Sequence, residues 1–367
     1  MSWRILHTEW SDGMGGQERR VLQEMEGMRT RGHRVWLATR PQARIAEAAR
    51  ALGLPVLTYP FGGKLDLRTI LPLACAVRRL GIDLVNTHSS IDSWAGGIAA
   101  RLAGVRLVRT RHLDLPLKRG GLNWVHALPD AWITCGDRMR RNLVDGCGFP
   151  SERVVSIPTG IDFDHLVPQR SSATVRTELG LGVDDFVVLM VGVIRAVKRH
   201  EVALAAFAQL ATELPSSRLV IAGDGPMRAW VEARAHALGI AGKTRFLGER
   251  DDVGELIGAG DVLLLSSRSE GVPQAVTQAL GLGRPVVATR VGGVPELVED
   301  GVSGKLVEPE DVAGMARALA TLAGDAALRR RMGEAGREHV RADYSLATML
   351  DRTEALYLRL LGARRTS

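Results

Sequence analysis

The sequence predicts an α/β protein of two domains, each a parallel sheet covered by helices on both faces. Three observations predict it. Short apolar runs rich in β-branched residues alternate with longer stretches of helical period. The 367 residues are too many for one ordinary α/β domain and enough for two, each with its own core. A polar stretch at 168–172 interrupts the series near its middle.

The elements follow in order. A strand at 4–7 leads to a helical stretch at 18–31, and further strands are expected at 34–38, 84–88, 107–110 and 131–134. Residues 157–162, Ile-Pro-Thr-Gly-Ile-Asp, read as a strand end and turn, and 168–172 as a linker. The second series opens with a strand at 187–192 and a helix at 201–214. Strands at 218–222, 244–247, 262–266 and 285–289 complete it. An amphipathic helix at 346–361 closes the chain. The domains are therefore expected at 1–167 and 168–345, with 346–367 crossing back to the first. Crossovers should be right-handed.

Composition narrows the function classes. Hydrophobic residues are 46 % of the chain, enough for packed cores, and aromatics only 4 %, too few for a base-stacking platform. Cys75, Cys135 and Cys147 have no C-x-x-C spacing, which points to a reducing cytoplasm and no structural zinc. No run of about 18 apolar residues exists to span a membrane, and no signal peptide is expected. A cytoplasmic protein results, soluble or peripheral on the inner face of the plasma membrane. Residues 1–167 hold 23 Lys and Arg against 16 Asp and Glu, while the remainder holds 25 against 25. The whole excess of +7 thus lies in the first half. It suits nucleic acid, an anionic membrane or an anionic substrate, or is a plain solvated surface. Nucleic acid is the poorest of these, because no recognition module accompanies the charge.

In open parallel sheets, ligands bind at the carboxyl ends of the strands. Four loops there are unusual. Gly13, Gly15 and Gly16 lie between the first strand and first helix, where backbone N–H groups favour an anion. Glu18 stands where a dinucleotide fingerprint needs its last glycine, so a tight turn is the competing reading. His88-Ser89 and His112-Leu113-Asp114 sit at two strand ends and are expected to face one cleft; a structural use of His88 is the alternative. No ligand spacing for a metal accompanies them. Gly192 is followed by Arg195 and Lys198, which suit a diphosphate, Arg through its fork and Lys as a point charge. Finally, Glu270-Gly271-Val272-Pro273 precedes a helix at 274–282. Gly271 is expected to allow a strained backbone, and Pro273 to occupy the first helical turn. The N–H groups of Gly271, Val272 and that turn form an anion site, with Glu270 placed to accept sugar hydroxyls.

These residues carry a resemblance. The chain resembles the retaining glycosyltransferases of family four, which have the GT-B fold of two Rossmann-like domains facing an interdomain cleft. The carriers are GMGGQERRVL, THSSIDSWAGGIAARLAG, RTRHLDLP, VSIPTGID, IRAVKRHE, AGDGPMR and RFLGERDDV. The most specific is SRSEGVPQAVTQALGLGRPVVATRVGGVPELVEDGVSGKLV. The resemblance implies a nucleoside-diphosphate sugar donor, UDP- or GDP-linked, with no bound cofactor or metal. Gly15 and Gly16 would line the cleft, and His112 would lie by the donor sugar. Arg195 and Lys198 would bind the diphosphate, and Glu270 with Gly271 and Val272 the sugar or phosphate. Arg250 would flank the base, Thr277 would touch a phosphate, and Gly192, Gly223 and Pro273 would shape the donor site. His88, Ser89 and Asp114 would be on the acceptor side. The acceptor would be a glycan that is lipid-linked or of lipopolysaccharide type. One position departs from the pattern: Gln278 replaces the glutamate that holds the ribose, eight residues after Glu270. An epimerase of similar fold and a non-catalytic sugar-nucleotide-binding protein are the competing classes.

Overall fold

Alternating apolar runs should bury both faces of each sheet, and they do. The computed structural model describes residues 2–113, 117 and 120–362. One unit runs to Gly160 and resumes at Leu346; the other is Ile161–Ser345.

The first unit has strands β1 Arg4–Glu9, β2 Arg34–Thr39, β3 Val56–Thr58, β4 Leu84–Thr87, β5 Arg106–Arg111, β6 Ala131–Thr134 and β7 Val154–Ser156. They pair in parallel in the order β3-β2-β1-β4-β5-β6-β7. Successive side chains alternate between two cores, with Ile5, Leu84 and Val108 on one side and Leu6, Val85 and Leu107 on the other. Each fully buried aliphatic side chain contributes about 1.5–3 kcal/mol.

The second unit has β8 Phe186–Val191, β9 Ser217–Ala222, β10 Thr244–Gly248, β11 Val262–Leu265, β12 Val286–Thr289 and β13 Gly304–Val307. Their order is β10-β9-β8-β11-β12-β13, again parallel. Val187 and Leu189 face one core, Val188 and Met190 the other.

Strands β3 and β13 were not among the expected ones, and of β7 only the end, at Ile157, was expected. All three lie at sheet edges, and none has the unbroken burial of the central strands. Half-covered edges do not require a continuous apolar run, so they leave a weak sequence signal.

The break between units falls at Gly160, earlier than expected. The reason is Phe163, buried in the second core so tightly that a Cβ on Gly281 would lie 2.0 Å from its ring. The closing helix, Leu346–Gly362, belongs with the first unit. Its Met349, Leu350, Leu356 and Tyr357 complete that core, and Gly27 is a glycine because a Cβ there would lie 2.3 Å from Leu350. Among the described residues, no helix is long and apolar enough to cross a membrane.

Candidate donor site and the histidine row

In the second unit, the loops that leave β8 and β11 are stitched into one assembly. Ser266, just past β11, places Oγ 2.8 Å from the Lys198 carbonyl and 2.9 Å from that of Arg199. Arg268 donates its backbone N–H to the Val197 carbonyl at 2.8 Å. This brings Lys198 to Glu270: Nζ donates to Oε1 at 2.7 Å, and the Ser267 hydroxyl donates to the same oxygen at 2.5 Å. The helix that follows, Gln274–Gly281, has Pro273 as its N-cap rather than in its first turn. The Pro273 carbonyl accepts from the N–H groups of Val276 and Thr277 at 3.1 and 3.2 Å, which closes the first turn of that helix.

Two expectations are corrected here. Gly271 lies outside the left-handed region; the constrained glycine is Gly292, past β12. Gly292 has φ +56°, and a Cβ there would lie 1.7 Å from the Glu270 carbonyl oxygen. Gly293 donates to the Gly271 carbonyl at 2.8 Å. The double glycine therefore supports the Glu270 loop from behind. Thr277 was expected at a phosphate, but it is buried and its hydroxyl points to the Pro273 carbonyl in its own helix.

Gly192 and Gly223 also have a reason of their own. Their φ values are +141° and +149°, and a Cβ on Gly223 would lie 1.9 Å from the Gly192 carbonyl oxygen. The β8 and β9 loops touch backbone to backbone, and only glycine allows it. Arg195 is exposed, and among the described residues its guanidinium has no hydrogen-bond partner. Arg250 is held in a two-pronged ion pair with Asp252, at 2.8 and 2.7 Å. Val272 packs on the core and Gln278 is half-buried. His200 shares a small pocket with Gly192, Lys198 and Ser267 and was missed from sequence. Burial and then the Lys198 charge push its imidazole down to about 4.

In the first unit, Gly15 caps the helix Gly16–Thr30, and its N–H donates to Glu18 Oε2 at 2.7 Å. Gly15 is extended (φ −132°), so conformation alone does not demand a glycine. The loop before it hangs on Glu9. Oε1 of Glu9 accepts from the N–H groups of Trp10 and Ser11 at 2.8 and 2.9 Å, and Oε2 from Gln17 at 2.6 Å. Burial, then the nearby Asp92 charge, raises the Glu9 carboxyl to about 8.

His88 and His112 do come together, and they are part of a longer row. His7 Nδ1 lies 3.0 Å from His88 Nε2, and His88 Nδ1 3.0 Å from His112 Nε2. His112 Nδ1 lies 3.6 Å from Cys135 Sγ. His88 is 3 % exposed with both ring nitrogens engaged, so its expected acceptor-side contact is replaced by a structural one. Ser89 is likewise a helix N-cap whose N–H donates to Asp92 Oδ1 at 2.8 Å. Asp114 lies outside the described residues. Beside the row stands a basic cluster. Arg109 NH1 is 2.6 Å from His126 Nδ1, and burial followed by the charges of Arg109, Arg111 and Lys64 pushes His126 down to about 4. Among the described residues, no group of three or more His, Cys, Asp or Glu is placed to hold a metal ion.

Comparison with known proteins bears on the family and the fold. The family model for glycosyl transferases group 1 matches residues 171–339, and that for Glycosyltransferase Family 4 matches 14–165. The D-inositol 3-phosphate glycosyltransferase of Thermobifida fusca is 30 % identical over 366 residues, covering 89 % of this chain and 84 % of that one. The chain belongs to glycosyltransferase family four. A further family-four match, the N-acetyl-alpha-D-glucosaminyl L-malate synthase of Bacillus anthracis, is 30 % identical over 58 % of this chain and only 55 % of its own length. The GT-B fold of the family is seen in solved structures. A glycosyltransferase from Rickettsia africae superposes with TM-score 0.89 at 16 % identity, over 98 % of this chain and 99 % of that one. Anabaena HepE in complex with UDP and glucose superposes with TM-score 0.84 at 21 % identity, over 98 % and 100 %.

Proposed function

We propose that this glycosyltransferase moves a sugar from a nucleoside-diphosphate sugar to a hydroxyl of a lipid-linked or lipopolysaccharide-type glycan, with retention of anomeric configuration. The observation that carries the donor half is the pairing of Lys198 with Glu270 beside the N-terminus of the helix Gln274–Gly281. A cation, a carboxylate and the positive end of a helix at adjoining strand ends suit a diphosphate and a sugar hydroxyl together. HepE has been solved with UDP-glucose, which favours a UDP-linked donor.

In the proposed reaction the bond from the anomeric carbon to the diphosphate oxygen breaks. A new bond to the acceptor oxygen forms on the same face. The acceptor's proton passes to an oxygen of the leaving diphosphate, so no protein base is required. Arg195, Lys198 and the helix N–H groups meet the charge that develops on the leaving group, the work a metal does elsewhere.

An anionic acceptor is supported by the +7 excess of the first half and by the cationic cluster of Lys64, Arg109 and Arg111 around His126. Two relatives carry a phosphate and a malate in their names, both anions. The same excess favours a peripheral seat on the anionic inner face of the plasma membrane. The epimerase alternative is dropped, since the family is one of glycosyltransferases.

A thermal-shift panel of nucleotide sugars and free nucleoside diphosphates tests the donor, because binding raises apparent stability by mass action. Transfer is then followed with excess chelator, and the product's anomeric configuration read by NMR. No stabilisation by any nucleotide sugar would sink the reading; binding without turnover would leave only a sugar-nucleotide-binding protein. Sedimentation with anionic and neutral liposomes tests the membrane seat, which equal binding to both would remove.

A further inference from the structure

The histidine row crosses the first sheet at right angles to its strands. It takes one residue from each of four neighbouring strands or their ends: His7 from β1, His88 past β4, His112 past β5 and Cys135 past β6. Burial keeps all three imidazoles below the usual histidine range, and hence neutral near neutral pH. A neutral imidazole has one N–H and one bare nitrogen. At each ring-to-ring contact of 3.0 Å a single hydrogen must lie between the two nitrogens. The tautomer of one ring therefore fixes the next, and the row has only two states, every ring Nδ1–H or every ring Nε2–H.

The ends of the row decide between them. At one end Cys135 Sγ accepts from Arg20 NH1 at 3.4 Å. Its own S–H has His112 Nδ1 for a partner only if that nitrogen is bare. At the other end, His7 Nε2 is buried with no partner among the described residues, and so is Glu24 Oε2. The charge that acts on His7 is the Glu24 carboxylate, held through Oε1 by the Tyr357 hydroxyl at 2.7 Å. Glu24 Oε1 also accepts from Asn86 at 3.3 Å, and Asn86 is the register partner of His7, so the carboxylate lies on the side of β1 where a ring N–H is favoured over a bare nitrogen. Both ends select the Nε2–H state.

We propose that Glu24, His7 and His88 are positioning residues for His112. The row runs Cys135 to His112 to His88 to His7, with the Glu24 charge acting on His7 without a hydrogen bond between them, and holds His112 as the neutral Nε2–H tautomer with Nδ1 bare. Hydrogen bonds in such a row polarise one another, so the carboxylate acts on a ring it does not touch. With Nε2 committed to His88, His112 can only accept from a ligand, through Nδ1 and in place of the Cys135 thiol. That last consequence rests on the reading of the chain as a glycosyltransferase.

Nitrogen-15 histidine NMR of the full chain near neutral pH tests the proposal. All three rings should show a protonated Nε2 and a bare Nδ1. Glu24→Gln removes the charge and keeps the shape, and should give mixed tautomers in all three rings. His7→Phe cuts the row one step nearer and should do the same for His88 and His112. An Nδ1–H ring in the wild type would overturn the proposal, as would a pure Nε2–H His112 in both variants. The spectra need no sugar nucleotide. Correct tautomers without transfer would fail the enzyme reading alone, and transfer with wrong tautomers would fail this inference alone.

Discussion

Lys198 Nζ lies 2.7 Å from Glu270 Oε1, so the cation after β8 and the carboxylate after β11 hold each other. Their side chains are 25 % and 11 % exposed, so solvent screens the pair only in part. A sugar hydroxyl that bonds Glu270, with a diphosphate drawing on Lys198, would exchange one compensated arrangement for another.

Lys198→Ala should lower kcat/KM for the donor about 10²-fold, by removing charge stabilisation from the leaving diphosphate. Glu270→Ala should weaken binding of the intact sugar nucleotide far more than that of the free nucleoside diphosphate. Calorimetry with both ligands separates the two, and equal loss for both would remove Glu270 from the sugar.

Gly292→Ala should disable donor binding without touching a ligand. The new Cβ would meet the Glu270 carbonyl oxygen, and the φ of +56° is itself unfavourable for alanine. A cost of about 1–3 kcal/mol or more is expected in chemical denaturation, from strain and from displacement of the Glu270 loop. Unchanged stability together with unchanged donor affinity would mean that the double glycine does not support the site.

Gln278→Glu should tighten donor binding. The side chain is half-buried on the helix that follows Glu270, and a carboxylate accepts from both ribose hydroxyls where an amide accepts from one. The gain should be about 1 kcal/mol, roughly fivefold in Kd. No change in a calorimetric titration would take residue 278 away from the ribose.

Glu9 gives a pH dependence whose sign is fixed. Its carboxyl is raised to about 8 in the folded state and titrates near 4.5 when unfolded. Between those values the folded state binds more protons, so its contribution to stability is full below 4.5 and is lost as pH rises through about 8. Glu9→Gln should remove this slope, at most about 1.4 kcal/mol per pH unit, and the difference between the two stability curves measures it. A wild-type curve parallel to the variant's across that window would contradict the assignment.

The β-branched runs, their spacing and the glycine and proline signals were enough to read two parallel α/β units and the central strands of each. They also singled out Glu270, because the signal there is local: a strand end, a short loop and a helix start within a dozen residues. The edge strands β3 and β13 were lost because half-covered positions carry no unbroken apolar run. What sequence could not supply was adjacency. Gly223 reads as a ligand-binding glycine until the β8 loop is seen against it, and His88 reads as an acceptor contact until His7 and His112 occupy both its nitrogens. His7 and Cys135 carried no signal at all. Their meaning comes from the strand order β1-β4-β5-β6, which sets residues as far as 81 positions apart side by side. Local patterns record which face of an element is buried; only the pairing of strands decides which side chains share a hydrogen bond.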